Sequence, residues 1–187
     1  MQGERNMEDY KVPVIETERL ILRAVSMDDA PAMFEYAHDE DVARYTLFGA
    51  HPTLEHTKEV IETVFLSRPS RKIPESFAVV DKKTHKMIGT CDFWPLKDEG
   101  VYEMGYALHK DYWGKGIMSE AGKAVLDYAF NNYPVSVMTL KHHIDNPGSG
   151  KVALKLGFKP LGVVKLGTFT ALGKADCNAY ELRKEDY

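Results

Sequence analysis

The chain has 187 residues, of which 44% are hydrophobic and 28% charged, and this balance fits one globular domain with a sizeable core. Its formal net charge of −4 disfavours a general nucleic-acid-binding protein, whose binding surface is basic. No apolar run is long enough to span a bilayer, and the polar start MQGERNMEDYKVPV has no apolar signal-peptide core. Cys91 and Cys177 have neither metal nor redox spacing. We therefore expect a cytoplasmic protein without disulfides or metal, with no nucleic-acid or membrane partner, and a flexible lead-in (1–13) before one domain (14–187).

The first predicted elements are a strand and two helices. IETERLILRAV (15–25) alternates in polarity and predicts a strand. SMDDAPAMFEYAHD (26–39) predicts a helix that Ser26 caps, with acidic residues in its first turn. TLEHTKEVIETVFLS (53–67) carries an apolar stripe and predicts a second helix.

Three strands come next. SFAVVD (76–81) and MIGTCDFW (87–94) are joined by the polar turn KKTHK and predict a hairpin. VYEMGYALH (101–109) predicts the third strand after the turn LKDEG.

The remaining chain continues the alternation of helices and strands. A helix is predicted over 116–130, a strand over 135–143, and a short helix over 148–157 that ends at a glycine. FKPLGVVKLG and NAYELRK predict two closing strands. The order β-α-α-β-β-β-α-β-α-β-β predicts a mixed α/β sheet in one domain.

Two glycines stand where a predicted strand gives way to a predicted helix, in HKDYWGKGIM (109–118). A helix N-terminus carries free N–H groups and partial positive charge, and glycines let a phosphate approach the backbone closely. The pattern indicates a phosphate or pyrophosphate site at 113–118. The alternative is a tight turn that binds nothing.

Two common phosphate motifs do not match. The dinucleotide pattern G-x-G-x-x-G fails because Ser119 occupies the third glycine position. The mononucleotide P-loop fails in GTFTALGKA because the spacing is wrong and Ala175 replaces the magnesium-binding Ser or Thr. Neither a nicotinamide nor a nucleoside triphosphate is favoured.

Three segments in this order resemble the GNAT superfamily of N-acetyltransferases, especially its RimJ/RimL-like branch, over roughly 14–187. They are ETERLILRAV, EMGYALHKDYWGKGIMSEA and DNPGSGKVALKLGF. The resemblance implies a GNAT-type α/β (α+β) fold: a mixed, mostly antiparallel sheet flanked by helices, with splayed parallel central strands. It also implies an acetyl-CoA-dependent N-acetyltransferase and allows a homodimer.

The same resemblance implies how acetyl-CoA is held. Backbone amides would bind its pyrophosphate, at Trp113, Gly114, Lys115, Gly116, Ile117 and Met118. Asp111 stands where the family has Arg or Gln, so a side-chain contribution from that position is in doubt. The pantetheine arm would enter between strands 101–109 and 135–143, beside the main chain of Tyr106 and Leu108.

Acyl transfer from a thioester to an amine requires deprotonation of the amine, stabilisation of the oxyanion and departure of the thiolate. It requires no enzyme nucleophile. Glu103 is the candidate base, because it lies in the strand that leads into the glycine loop and the RimJ/RimL-like pattern often has Glu at this position. Gly105 and Ala107 on its face leave room beside it. The alternative is a salt-bridged or solvated glutamate, and a bulge in the strand would change its direction.

Asn146 and Ser149 match the family's Asn-x-x-Ser pattern. By resemblance, Asn146 would bind the pantetheine and Ser149 would donate to the departing thiolate. The alternative is a turn and a helix cap, which both residues favour. Many relatives carry a tyrosine acid where this chain has Ala153, so the thiolate would use Ser149, water or no donor.

Two adjacent histidines and four aromatic residues are further candidate site residues. His142 and His143 point to opposite faces of a strand and cannot share one metal ion. Phe93 and Trp94 either line an acceptor cleft or pack in the core. By resemblance, the loop between the first two helices borders the acceptor site, so Tyr45 and Phe48 either line that site or pack in the core.

We expect the acceptor to be a primary amine, namely the N-terminal α-amine of a protein or peptide. One alternative is a small-molecule amine such as a polyamine or an antibiotic. Two non-enzymatic alternatives are an acyl-CoA-binding module of the same fold and an interaction domain whose glycine loop binds nothing.

Overall fold

The computed structural model describes residues 6–47, 49–170 and 173–187, without the side chains of 168 and 169. Within these residues eight strands form one sheet, in the order β1-β2-β3-β4-β5-β6-β8-β7. The strands are β1 (Ile15–Glu16), β2 (Leu20–Ala24), β3 (Phe77–Asp81), β4 (Met87–Pro95), β5 (Val101–Leu108), β6 (Val137–His143), β7 (Lys159–Thr170) and β8 (Gly173–Arg183). The α-helices are α1 (Ala30–Ala37), α2 (Glu40–Ala43), α3 (Leu54–Val60), α4 (Ile117–Asn132) and α5 (Pro147–Lys155).

The sheet is antiparallel except at its centre, where β5 and β6 run parallel. Their register pairs Val101 with Val137 and ends where Glu103 faces Thr139. The later residues of β5 and β6 are not paired with each other, so the two strands separate from this point. The mixed sheet and its parallel central pair confirm the predicted fold class.

Each face of the sheet has its own core. On one face α4 packs on a cluster that includes Phe93, Met104 and Met138. On the other face α1 and α3 pack on a cluster that includes Ala78 and Val80. Because side chains alternate along a strand, the even-numbered residues of β5 face α4 and the odd-numbered ones face α1 and α3.

The first predicted strand is two strands, which differs from the sequence-based expectation. β1 turns back onto β2, with Ile15 opposite Leu22. Thr17 closes the turn: its N–H donates to the carbonyl of Leu20, and its Oγ1 accepts from the N–H of Leu20 at 3.1 Å. Such local side-chain bonds compete with a continuous strand.

Two further differences lie in the helices. The predicted helix 53–67 is α3 followed by a π-helical stretch, Ile61–Leu66. Thr53 caps α3 by accepting a hydrogen bond from the N–H of His56 at 3.1 Å. The short helix α2 was not predicted, because four residues carry no readable periodicity.

The described part of the predicted lead-in, 6–13, contacts the domain. The N–H of Val12 donates to Glu75, and the N–H of Glu75 donates to the carbonyl of Tyr10. Tyr133 donates its hydroxyl to the carbonyl of Asp9 at 3.0 Å. These bonds tie the segment to the residues just before β3 and just after α4, whereas residues 1–5 lie outside the described part of the chain.

Both cysteines are buried free thiols. Burial raises the pKa of the Cys91 thiol and of the Cys177 thiol. A raised pKa lowers the fraction of reactive thiolate, so neither thiol is set up as a nucleophile. No helix in the described part of the chain is both long and apolar enough to cross a membrane.

Candidate active site

The glycine loop connects β5 to α4 and owes its shape to two left-handed residues. Gly114 has φ +72° and Gly116 has φ +76°, a region that L side chains rarely adopt. Gly116 is also the N-cap of α4. The glycine spacing seen in the sequence therefore reflects the backbone conformation of this turn.

The loop leaves a row of backbone N–H groups open. The first hydrogen bond of α4 runs from the N–H of Glu120 to the carbonyl of Gly116 at 3.0 Å, so earlier amides have no intrahelical acceptor. The described residues supply no acceptor to the N–H groups of 114–118 either. The N–H of Trp113, by contrast, donates to the carbonyl of Lys110 at 3.0 Å. Five of the six predicted amides are therefore open, and that of Trp113 is occupied.

An arginine that the sequence analysis did not select reaches this loop. Arg19, in the turn between β1 and β2, donates through Nη1 to the carbonyl oxygen of Lys115 at 2.9 Å. Its Nε donates to Glu120 at 2.6 Å. Arg19 lies inside ETERLILRAV, but its spacing in the sequence gives no sign of a contact about a hundred residues away.

Glu103 lies at the point where β5 and β6 separate, on the face toward α1 and α3. Its side chain is only 19% exposed. The Nζ of Lys141, on β6, lies 3.0 Å from Glu103 Oε2. This contact is an ion pair without hydrogen-bond geometry, so the buried Oε2 retains its capacity to accept a hydrogen bond. The carboxylate is thus salt-bridged to Lys141 at the point where the two strands separate.

Trp94 lies beside Glu103, as its directly opposed residue on β4. A Cβ on Gly105 would approach Trp94 Cη2 to 2.8 Å, so the indole lies over this glycine. Phe93 points the other way and is fully buried in the α4 core. The structure therefore separates the two aromatic candidates, because neighbouring strand residues face opposite sides.

A second carboxylate, Asp92, shares this face and lies opposite Gly105. Arg68 Nη1 donates to Asp92 Oδ2 at 3.0 Å, and Ser76 donates its hydroxyl to the same oxygen at 2.7 Å. Arg68 also donates to the carbonyl of Phe93 at 2.7 Å. Burial lowers the pKa of Arg68, while the Asp92 charge opposes that shift.

We expect Arg68→Met to destabilise the fold by about 3–5 kcal/mol, because it leaves the Asp92 charge buried without its cation. Urea unfolding monitored by circular dichroism measures the loss. Arg71→Met is the matched control, since Arg71 follows on the same turn but is exposed, and we expect it to cost below about 1 kcal/mol. Equal losses for the two variants would contradict a stabilising role for the buried pair.

Tyr45 follows α2 and contacts β6. Its ring centroid lies 4.8 Å from that of His143, which places Tyr45 near the free end of the parallel pair. Phe48, its predicted companion, lies outside the described residues. His142 faces the opposite side, where its Nε2 lies 3.2 Å from the hydroxyl of Tyr180 and where burial lowers its pKa.

The start of α5 lies beside β5. Asn146 is the N-cap: its Oδ1 accepts from the N–H of Ser149 at 3.4 Å, and its Nδ2 donates to Ser149 Oγ at 3.2 Å. The hydroxyl of Tyr106 donates to the carbonyl of Ser149 at 3.0 Å. Asn146 and Ser149 thus form the helix cap that was the alternative to their binding roles. Ala153, which stands where many relatives carry a tyrosine acid, is fully buried.

The main chain of β5 contacts the glycine loop at one further point. The indole Nε1 of Trp113 donates to the carbonyl of Leu108 at 2.8 Å.

In the described residues, no group of three His, Cys, Asp or Glu side chains comes together in a way that could hold a metal ion.

The chain is similar to known proteins in sequence and in fold. The profile of the family described as acetyltransferase (GNAT) domain matches residues 19–159. The "Uncharacterized N-acetyltransferase p20" of Bacillus licheniformis is 30% identical over 151 residues, which cover 80% of this chain and 84% of that protein. A GNAT-family acetyltransferase structure from Bacillus anthracis is 26% identical with a TM-score of 0.80, covering 92% of this chain and 99% of the other.

A further solved structure shares the fold at lower identity. It is described as RimL, a ribosomal L7/L12 α-N-protein acetyltransferase in complex with coenzyme A. It is 19% identical with a TM-score of 0.79, and the match covers 94% of this chain and all of the other. RimL-like proteins are thus among the structural neighbours, as the sequence resemblance implied.

This chain belongs to the GNAT acetyltransferase family. It is an N-acetyltransferase that uses acetyl-CoA.

Proposed function

We propose that the protein transfers the acetyl group of acetyl-CoA to the N-terminal α-amine of a protein or peptide. The observation that carries this proposal is the position of Glu103. A partly buried carboxylate, paired with Lys141, lies where the two central strands separate. The open amides of the glycine loop follow at the end of the same strand.

The glycine loop would hold the pyrophosphate through the N–H groups of 114–118. Five open N–H groups at the N-terminus of a 16-residue helix favour an anion electrostatically. The gap between β5 and β6 would take the pantetheine arm beside Tyr106 and Leu108. Asn146 would need to exchange its capping bonds to Ser149 for bonds to that arm.

Glu103 would accept the proton of the incoming ammonium, directly or through one water. The amine nitrogen then attacks the thioester carbonyl carbon, the C–S bond breaks, and the sulfur leaves as the thiol after taking up a proton. Lys141 already places a cation against Glu103, at 3.0 Å. An acceptor ammonium would replace that cation at the carboxylate. Ser149 is the proposed donor to the sulfur.

The charges on this face support a monocationic acceptor. Glu103 faces Lys141, and Asp92 faces Arg68, so these two carboxylates are already balanced by cations. Carboxylates that are already paired offer little electrostatic preference for a polyamine. The α-amine also has a pKa of about 7.7–8.0, against about 10.4 for lysine, so one carboxylate base can deprotonate it near neutral pH.

A competition assay tests the acceptor. Each reaction contains acetyl-CoA and two of four acceptors: a peptide with a free N-terminus, an N-blocked peptide with one lysine, spermidine, and an aminoglycoside. We expect the free N-terminus to have the highest kcat/KM. A clearly higher kcat/KM for the blocked lysine peptide, spermidine or the aminoglycoside would refute the N-terminal assignment. Thiol release with none of the four would also refute the N-terminal assignment.

A further inference from the structure

We propose that Arg19 is a positioning residue for acetyl-CoA, which holds the glycine loop open and keeps the Glu120 charge away from the pyrophosphate. This inference rests on the proposed binding of the pyrophosphate at 114–118. The guanidinium contacts both the loop and the first turn of α4.

The first contact sets the direction of one peptide group. Arg19 Nη1 donates to the carbonyl oxygen of Lys115 at 2.9 Å. In a planar trans peptide the C=O and the following N–H point in opposite directions. Holding the Lys115 carbonyl on Arg19 therefore directs the N–H of Gly116 away from Arg19. Lys115 stands between two glycines, whose backbone rotates with little steric resistance, so this peptide needs an external constraint.

The second contact concerns Glu120, whose carboxylate lies in the first turn of α4. A helix N-terminus stabilises any nearby anion, so Glu120 competes with the pyrophosphate for the same positive end and repels it. Three donors occupy the carboxylate: Arg19 Nε at 2.6 Å, the N–H of Arg19 at 2.8 Å and the hydroxyl of Thr17 at 2.5 Å.

These bonds hold Glu120 in its charged form. Burial alone would raise the pKa of Glu120, but the bonds from Thr17 and Arg19 outweigh burial and lower it. The guanidinium beside it neutralises the charge. The remaining nitrogen, Nη2, lies 3.6 Å from the position that a Cβ would take on Gly116. The guanidinium of Arg19 thus lies at the loop, and its Nε holds the Glu120 carboxylate.

Calorimetry with acetyl-CoA tests the proposal on four proteins: the wild type, Arg19→Gln, Glu120→Gln and the double variant. We expect Arg19→Gln to raise the Kd at least tenfold, because the loop amide is released and Glu120 loses its cation. The double variant should regain at least threefold of that loss, since the repelling charge is gone. In turnover assays Arg19→Gln should raise the KM for acetyl-CoA and leave kcat within about threefold.

Arg23→Gln is the matched control, because Arg23, on β2, pairs with Asp29 at 2.7 Å without touching the loop. We expect its Kd to stay within twofold of the wild type even though its Tm falls, because Arg23→Gln leaves the buried Asp29 without its cation. Equal Kd losses for the two arginine variants, an Arg19→Gln Kd within twofold of the wild type, or no recovery in the double variant would overturn the inference. A wild type that does not bind acetyl-CoA would instead contradict the proposed function.

Discussion

Glu103→Gln should lower kcat by about 10²–10⁴-fold, the usual contribution of a general base, while the Kd for acetyl-CoA stays nearly unchanged. Glutamine keeps the shape of the side chain but cannot accept the ammonium proton. Glu103 lies on β5 at the origin of the strand gap, whereas the loop that would bind the pyrophosphate begins after Leu108. Steady-state kinetics across pH and calorimetry on the same preparations measure the two effects.

Glu35→Gln is a suitable control for this variant. Glu35 forms a Glu–Lys pair with Lys86 at 3.1 Å, on α1 and the turn between β3 and β4. Its loss should leave kcat within about twofold, because exposed pairs contribute little. Turnover of Glu103→Gln within about threefold of the wild type at every pH would show that Glu103 is a structural salt-bridge partner.

Gly116→Trp should abolish acetyl-CoA binding. At φ +76° any L side chain is strained, and an indole would occupy the space in front of the open amides and press on Arg19. Lys115→Ala should weaken binding only modestly, since it leaves the backbone N–H groups in place. Isothermal titration calorimetry gives both affinities.

A second glycine substitution controls for the backbone strain that Gly116→Trp introduces. Gly162 also has a positive φ, +104°, and nothing lies within 4 Å of its Cβ position on β7. Gly162→Trp should therefore carry comparable strain but leave the acetyl-CoA affinity within twofold. If Gly116→Trp binds acetyl-CoA as tightly as the wild type, the glycine loop is not the binding site.

Most elements of the fold were predictable from local sequence patterns. Apolar segments bounded by polar turns located β3, β4, β5 and β6 within one or two residues, because these strands pack against the cores of the sheet. The alternation of side chains along a strand placed Glu103 on the face with Gly105 and Ala107, and it separated His142 from His143. The glycine spacing identified the loop before α4, since left-handed backbone strongly favours glycine.

Contacts between residues that are distant along the chain were not predictable from local sequence patterns. The turn at Thr17 depends on bonds to Leu20 and Glu120, so a continuous strand was the natural but wrong expectation. Lys141 reaches Glu103 only because β6 lies parallel to β5. No sequence periodicity links residues on different elements. A single sequence therefore predicts which face of its strand or helix a residue occupies better than it predicts which distant residue that side chain contacts.

By itself, the sequence determined the mixed α/β class, the order of most elements, the glycine loop and the face of Glu103. Each of these follows from residues within about ten positions of one another, where steric rules and side-chain periodicity act directly. Only the tertiary structure decided that Arg19 contacts the loop, that Asp92 pairs with Arg68, and that Trp94 lies over Gly105. Such contacts arise when the two cores close around the sheet, because burial then brings together side chains that are distant along the chain.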